Sequence, residues 1–334
     1  MRRSSTVPSR SASQLVALVA VAACTESAGP APGYDPAGLR SSLAVVDTVF
    51  ASPLARSVGV FQYGAPIPPP VAAAPLIPDS LLGRTFAWSC DTRRYVLTTL
   101  SGAPAGGVRL LLYALDATGA ILCPATVIGQ LDLADASTGD TTTLRASATP
   151  VGQGAEYVAY TIRHAIADPQ FLATSTGSIS DGHARLDFRL VGRPGVGFNT
   201  RVATMQLDDS AADVHETLSD SAEMGVDTRA DDVELTVRHA AETLGLSGWV
   251  GRTAVGAGWE SWDEVITLNS TLYAKVDGMA VGDAQPPLVR LGRPLPFTGE
   301  ERQLLLDLIA LPGNLRGDFW RLLGAGAGLV GRPL

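Results

Sequence analysis

Apolar residues recur along this chain in two periods, and the switch between them marks its organisation. Asp35-Pro36 supplies an N-cap followed by proline at the first helical position, and Leu39, Leu43, Val46 and Phe50 follow at helical spacing. Ser52-Pro53 repeats the start signal for a short turn through Val58, so residues 35–58 are expected to be helical. Between Gln62 and Ser80 stand Pro66, Pro68, Pro69, Pro70, Pro75 and Pro78. Proline at that density excludes regular helix and central strand, and predicts an extended crossover over residues 62–80.

From Arg84 to about Asp277 the period is two. Phe86, Trp88 and Cys90 share one face, and so do Val108, Leu110, Leu112 and Ala114. Val158, Tyr160, Ile162 and His164 alternate with Ala159, Thr161 and Arg163. Leu186, Phe188 and Leu190 alternate with Arg185, Asp187 and Arg189. Val233, Leu235 and Val237 oppose Glu234, Thr236 and Arg238, and Ile266, Leu268, Leu272, Ala274 and Val276 close the series. Strands with one apolar and one polar face belong to antiparallel sheet, and the lack of βαβ alternation disfavours a doubly wound or TIM-like fold. Thr298-Gly299-Glu300-Glu301 is a capping box ahead of Leu304, Leu305, Leu308 and Ile309, and Pro312-Gly313 is expected to split residues 298–323 into two short helices. The expected fold class is therefore α+β. A large curved antiparallel sheet over residues 84–277, a half-barrel or a sandwich, is covered by the N-terminal helix and the C-terminal helices, all in a single domain over residues 35–334.

The first residues read as an address. Arg2, Arg3 and Arg10 precede an apolar run from Leu15 to Ala23 that is too short to span a bilayer. The run ends in Val21-Ala22-Ala23-Cys24, which resembles the lipobox of bacterial lipoproteins. That resemblance covers only about the first 25 residues. It implies a signal peptide over residues 1–23, cleavage before Cys24, and fatty acylation (palmitate among the acyl groups) of that cysteine as a membrane anchor. Thr25 stands where an aspartate often signals inner-membrane retention, so the resemblance implies the outer membrane, facing the periplasm, if the source has one. Residues 24–34, small and rich in proline and glycine after the cysteine, form the expected tether.

An exported chain also changes the meaning of Cys90 and Cys123. Outside the cytoplasm two remaining cysteines imply a disulfide, and no Cys/His cluster accompanies them to suggest a metal. The formal charge is −8. Losing Arg2, Arg3 and Arg10 with the signal peptide would take it to −11. An acidic balance argues against nucleic acid as a partner, and against attraction to anionic headgroups.

Candidate chemistry is sparse, and no cofactor is implied. His164 and His239 fall on the apolar sides of two similar segments, Tyr160-Thr161-Ile162-Arg163-His164-Ala165 and Leu235-Thr236-Val237-Arg238-His239-Ala240. They are candidate ligands or an acid–base pair, with strand-end packing as the plainer reading. His215-Glu216 opens like a zinc-protease helix, but Ser219 replaces the second histidine. The carboxylates between Asp208 and Glu234 match no calcium loop and read as a solvated face. Trp259 and Trp262 are a candidate ligand platform, or core. No nucleophile elbow or phosphate-cradling loop occurs. The expectation is an envelope lipoprotein that binds a protein partner or an apolar ligand and is not an enzyme. The alternative is an exported hydrolase whose site is assembled from distant residues.

Overall fold

The computed structural model describes residues 34–60, 75–165, 173–194, 200–209, 214–223, 228–253, 259–281, 285–292 and 296–330. The signal segment, Cys24 and most of the proline-rich stretch lie outside them. Helices α1 (Pro36–Phe50) and α2 (Pro53–Val60) open the chain. Strands β1 (Arg84–Ser89), β2 (Arg94–Leu97), β3 (Gly107–Tyr113), β4 (Val127–Asp135), β5 (Thr141–Pro150) and β6 (Val158–Ala165) follow. The next are β7 (Ala173–Ser180), β8 (Arg185–Pro194), β9 (Thr200–Asp209), β10 (Val214–Glu223) and β11 (Thr228–His239). Then come β12 (Glu242–Thr253), β13 (Trp259–Leu268), β14 (Thr271–Val281) and β15 (Leu288–Arg290), and α3 (Gly299–Val330) ends the described chain.

The strands are hydrogen-bonded in the single order β15 down to β3, then β1, then β2. From β3 to β15 every strand pairs antiparallel with its successor, as alternating one-sided strands require. One pair departs from the expected pattern. β1 and β3 run parallel, with Phe86 opposite Leu110. The β1–β2 hairpin occupies one edge of β1, so the chain returning through residues 98–106 adds β3 on the other. The sheet also extends past Asp277 to Val281 and adds β15.

Helices cover one face of this unclosed sheet. α1 packs on β7, β8 and β11, α2 on β3, β4 and β5, and α3 on β5 and β6 as well as on both other helices. α1, about 22 Å long, lies across the strands from β7 to β11 on the same face as the other two helices. The expected stripes are buried: Leu39 and Val46 are fully enclosed and Leu43 and Phe50 nearly so, as are Val108, Leu110, Leu144, Ile162 and Leu186 of the sheet. The α1 start is built as its sequence implies, since the Asp35 side chain accepts from the Gly38 amide at 3.0 Å with Pro36 in the first turn.

At the C-terminus the structure corrects the expectation of two helices over residues 298–323. α3 is one continuous helix with Pro312 inside it. Proline in a helix interior forfeits a backbone hydrogen bond and costs about 3 kcal/mol. Here Leu308, Ile309, Leu311 and Leu315 are buried on both sides of it, and that packing holds the two halves in line. Pro312→Ala should therefore raise stability by roughly 1–2 kcal/mol, part of the helix penalty being offset by lost packing. An unchanged or lower urea midpoint would show that the ring's packing is worth more than the missing bond. The glycine-rich end of α3 also has a use. A Cβ at Gly326 would stand 2.9 Å from Ile162 Cδ1 and 3.1 Å from Leu144 Cδ2, so glycine lets the last turns settle onto β5 and β6.

Candidate functional site

The described residues form a cleft of about 790 Å³ where the three helices meet the loop after β3. The end of α1 contributes Asp47, α2 contributes Arg56 and Gly59, the loop contributes Leu115, Thr118 and Gly119, and α3 contributes Asn314, Asp318 and Arg321. Phe50 and Leu322, both core residues, form its apolar wall.

Each element is held before any ligand arrives. α2 packs against α3 at Gly59, where a Cβ would make ordinary contact with the Arg321 carbonyl oxygen at 3.4 Å. Asp116 locks the loop, accepting from the Thr118 amide at 2.8 Å, the Thr118 hydroxyl at 2.6 Å and the Ala120 amide at 3.0 Å. Gly119 supplies the positive φ of 84° that this turn needs.

The electrostatics are uneven. Partial desolvation raises the Asp47 carboxyl above its ordinary pKa, although the residue is exposed at the mouth of the cleft, and the nearby Asp318 and Asp307 raise it further. Burial likewise raises Asp318, against the pull of its ion pair with Arg321. Asp307 is already engaged, by Arg40 at 2.6 Å and Gln303 at 2.7 Å. Neither Asp47 nor Arg56 makes a side-chain hydrogen bond or ion pair among the described residues, which leaves a carboxylate and a guanidinium both open to a ligand. Because the folded state raises their pKa values, Asp47 and Asp318 subtract stability when ionised, and that deficit disappears as pH falls below the ordinary aspartate value.

The residues singled out in the sequence lie elsewhere. His164 is buried on β6. His239 ends β11, packs against Gly38 and places Nδ1 3.2 Å from the Ser42 hydroxyl, so it docks the start of α1 onto the sheet. Trp262 is 4% exposed, opposite Val250 and Gly278, which removes it from a surface platform; the side chain of Trp259 lies outside the described part. Of the carboxylates between Asp208 and Glu234, those of Asp232 and Glu234 are described, and both are exposed on β11. Among the described residues no group of three or more His, Cys, Asp or Glu side chains is arranged to hold a metal ion. Cys90 and Cys123 are joined, with Cα atoms 5.9 Å apart.

The cleft was missed in the sequence because its members come from opposite ends of the chain. Asp47 looked like any solvent-side residue of α1. The Asp318–Arg321 pair at i, i+3 was the nearest available signal, and helix surfaces carry such pairs routinely. No protein-family model, curated protein or solved structure matches the chain.

Proposed function

We propose that this chain is a lipid-anchored envelope protein that binds a small ammonium-bearing ligand in the helical cleft and does not transform it. The observation that carries the reading is the Asp47 carboxylate, which stands unpaired in the cleft with Asp318 and Asp307 close by. A cationic nitrogen placed there relieves like-charge repulsion, which solvent does only partly, and Arg56 and Asn314 are placed to hold acceptor groups on the same ligand. The helix stripes favour binding at this mouth over binding in the interior, because the apolar faces of sheet and helices are spent on each other.

Calorimetry of the full chain in an uncharged detergent tests the site, with putrescine and glucosamine as ammonium probes and glucose as the neutral control. Both amines should bind and glucose should not, and Asp47→Asn should weaken the amines at least tenfold. Affinity should rise with pH as Asp47 loses its proton, through a value above the ordinary aspartate range. Equal heats from glucose, or from the Asn variant, would remove the reading. A second reading, an exported hydrolase, draws on the same two carboxyls, since a raised pKa is what a general acid needs. Turnover of an aryl glycoside or ester that vanished in Asp318→Asn would replace binding by catalysis.

The anchor rests on the resemblance of Val21-Ala22-Ala23-Cys24 to a lipobox. The wild-type protein should partition into the detergent phase, and Cys24→Ser should leave it aqueous or uncleaved. A tether of about ten residues would reach roughly 15–20 Å, so the body would work beside the membrane.

A further inference from the structure

The face of the sheet turned away from the helices carries charges that the net balance of the chain conceals. In the register of β5 to β8, Arg145 lies opposite Thr161, Thr161 opposite Thr176, and Thr176 opposite Arg189. Directly paired residues share a face, so these four form a row across the strands. At ~4.8 Å per strand the two arginines bracket the two threonines over ~14 Å. Arg163, two residues along β6 from Thr161, sits ~7 Å to one side on the same face. All three arginines are exposed, and none makes an ion pair among the described residues.

Beside this row the face dips into a groove of about 540 Å³ in which Ser147, Thr161 and Thr176 present hydroxyls. Three carboxylates line it, and each is already engaged. Asp132 takes both arms of Arg109 at 2.7 Å, Asp187 holds Arg185 at 3.0 Å, and Glu156 accepts from the Ser147 hydroxyl at 2.5 Å. Arginines neutralise Asp132 and Asp187, while Glu156 keeps its charge, so Arg145, Arg163 and Arg189 leave the face with a net surplus of two positive charges. In a chain of formal charge −8 such a surplus is a local construction and not a reflection of composition.

We propose that the outer face of β5–β8 binds an anionic glycan, a sugar chain bearing carboxylate or sulfate groups, lying across the strands along this row. Guanidinium forks match planar carboxylates and sulfates, and the interleaved hydroxyls donate to and accept from sugar hydroxyls. The spacing favours a chain over a single ion, since no one small anion reaches both Arg145 and Arg189. A nucleic acid is disfavoured because the one aromatic residue at the groove, Tyr160, is buried and offers no stacking surface. A flat membrane is disfavoured because no exposed large apolar side chain lines the groove.

The full chain in uncharged detergent, titrated with polygalacturonate at low salt, is the test. Binding should be salt-sensitive, absent with neutral dextran, and weakened at least tenfold by the combined change Arg145→Gln, Arg163→Gln and Arg189→Gln. Arg84→Gln, Arg93→Gln and Arg94→Gln together remove as much charge from exposed positions on and beside β1 and β2 and should leave binding within twofold. The urea midpoint serves as the folding check on both triple variants. Undiminished binding by the first variant, equal binding of dextran, or loss of equal size in the second variant would each overturn the proposal. Capture by phosphatidylglycerol vesicles without any binding of polygalacturonate would reassign the face to anionic lipid.

Discussion

Glu301→Ala is expected to lower the unfolding free energy by about 3–5 kcal/mol, the usual result of removing one partner from a buried ion pair. Glu301 opens α3 and closes the capping box, accepting from the Thr298 amide at 2.7 Å while its own amide meets the Thr298 hydroxyl at 3.2 Å. The same carboxylate accepts from the Tyr273 hydroxyl at 2.6 Å and from Arg290 at 2.8 Å. The pair is enclosed, with side-chain exposures of 10% for Arg290 and 9% for Glu301. Arg290 also lies over the rings of Tyr273 and Phe297 at 5.4 and 5.1 Å. Without Glu301 the guanidinium stays buried between aromatic rings with no counter-charge, and β14, β15 and α3 lose their common tie. Burial pushes the Glu301 pKa up, but the Tyr273 hydroxyl, the Thr298 amide and Arg290 together outweigh it, and the carboxyl ends below its ordinary value. A depressed carboxyl stabilises the fold above its unfolded pKa, and that contribution is lost as pH falls through the folded value. Urea midpoints followed downward from pH 5 should therefore drop less steeply for Glu301→Gln than for the wild type. A loss under about 1 kcal/mol for the alanine variant would mean that water or a neighbour replaces the carboxylate.

The α1 stripe of Leu39, Leu43, Val46 and Phe50 was readable because burial there follows a strict helical period, and the Thr298–Glu301 box because its two partners are three residues apart. Strands with full apolar faces, such as β3, were equally plain. β7 was not, because its eight residues ATSTGSIS carry apolar weight only at Ala173 and Ile179, and its central pairing comes from neighbours on both sides. β10 was hidden by its acids, and β12 by Gly245, Gly248 and Gly251, which look like turn residues in isolation. Tertiary pairing overrides local preference in such strands. The proposed binding surfaces depend on the same non-local information. Arg145, Arg163 and Arg189 alternate correctly in their own strands, but only the strand order lines them up, and overall acidity pointed the other way. Asp47 and Asp318 meet only because α1 and α3 pack together.

Loss of the Cys90–Cys123 disulfide should cost about 3–4 kcal/mol, since the bond closes a loop spanning 33 residues and removes that loop's freedom from the unfolded chain. The cost should also be felt locally. Cys90 follows β1 directly, at the end of the sheet where only the four-residue β2 lies beyond it, and Cys123 belongs to the connection between β3 and β4. That connection carries Leu115, Thr118 and Gly119 into the helical cleft. Without the bond, the packing of Trp88, Tyr95 and Tyr113 and the backbone pairing of β1 with β3 must hold the region alone. The variant combining Cys90→Ser and Cys123→Ser should therefore unfold at lower urea. Amide exchange should become faster first in β1 and β2, while β6 and β11 stay protected. The proposed amine binding in the cleft should weaken as well, because the loop that forms one wall becomes freer to move. A stability change under about 1 kcal/mol, with exchange in β1 and β2 unaltered, would show that the aromatic cluster and the sheet pairing suffice without the covalent bond.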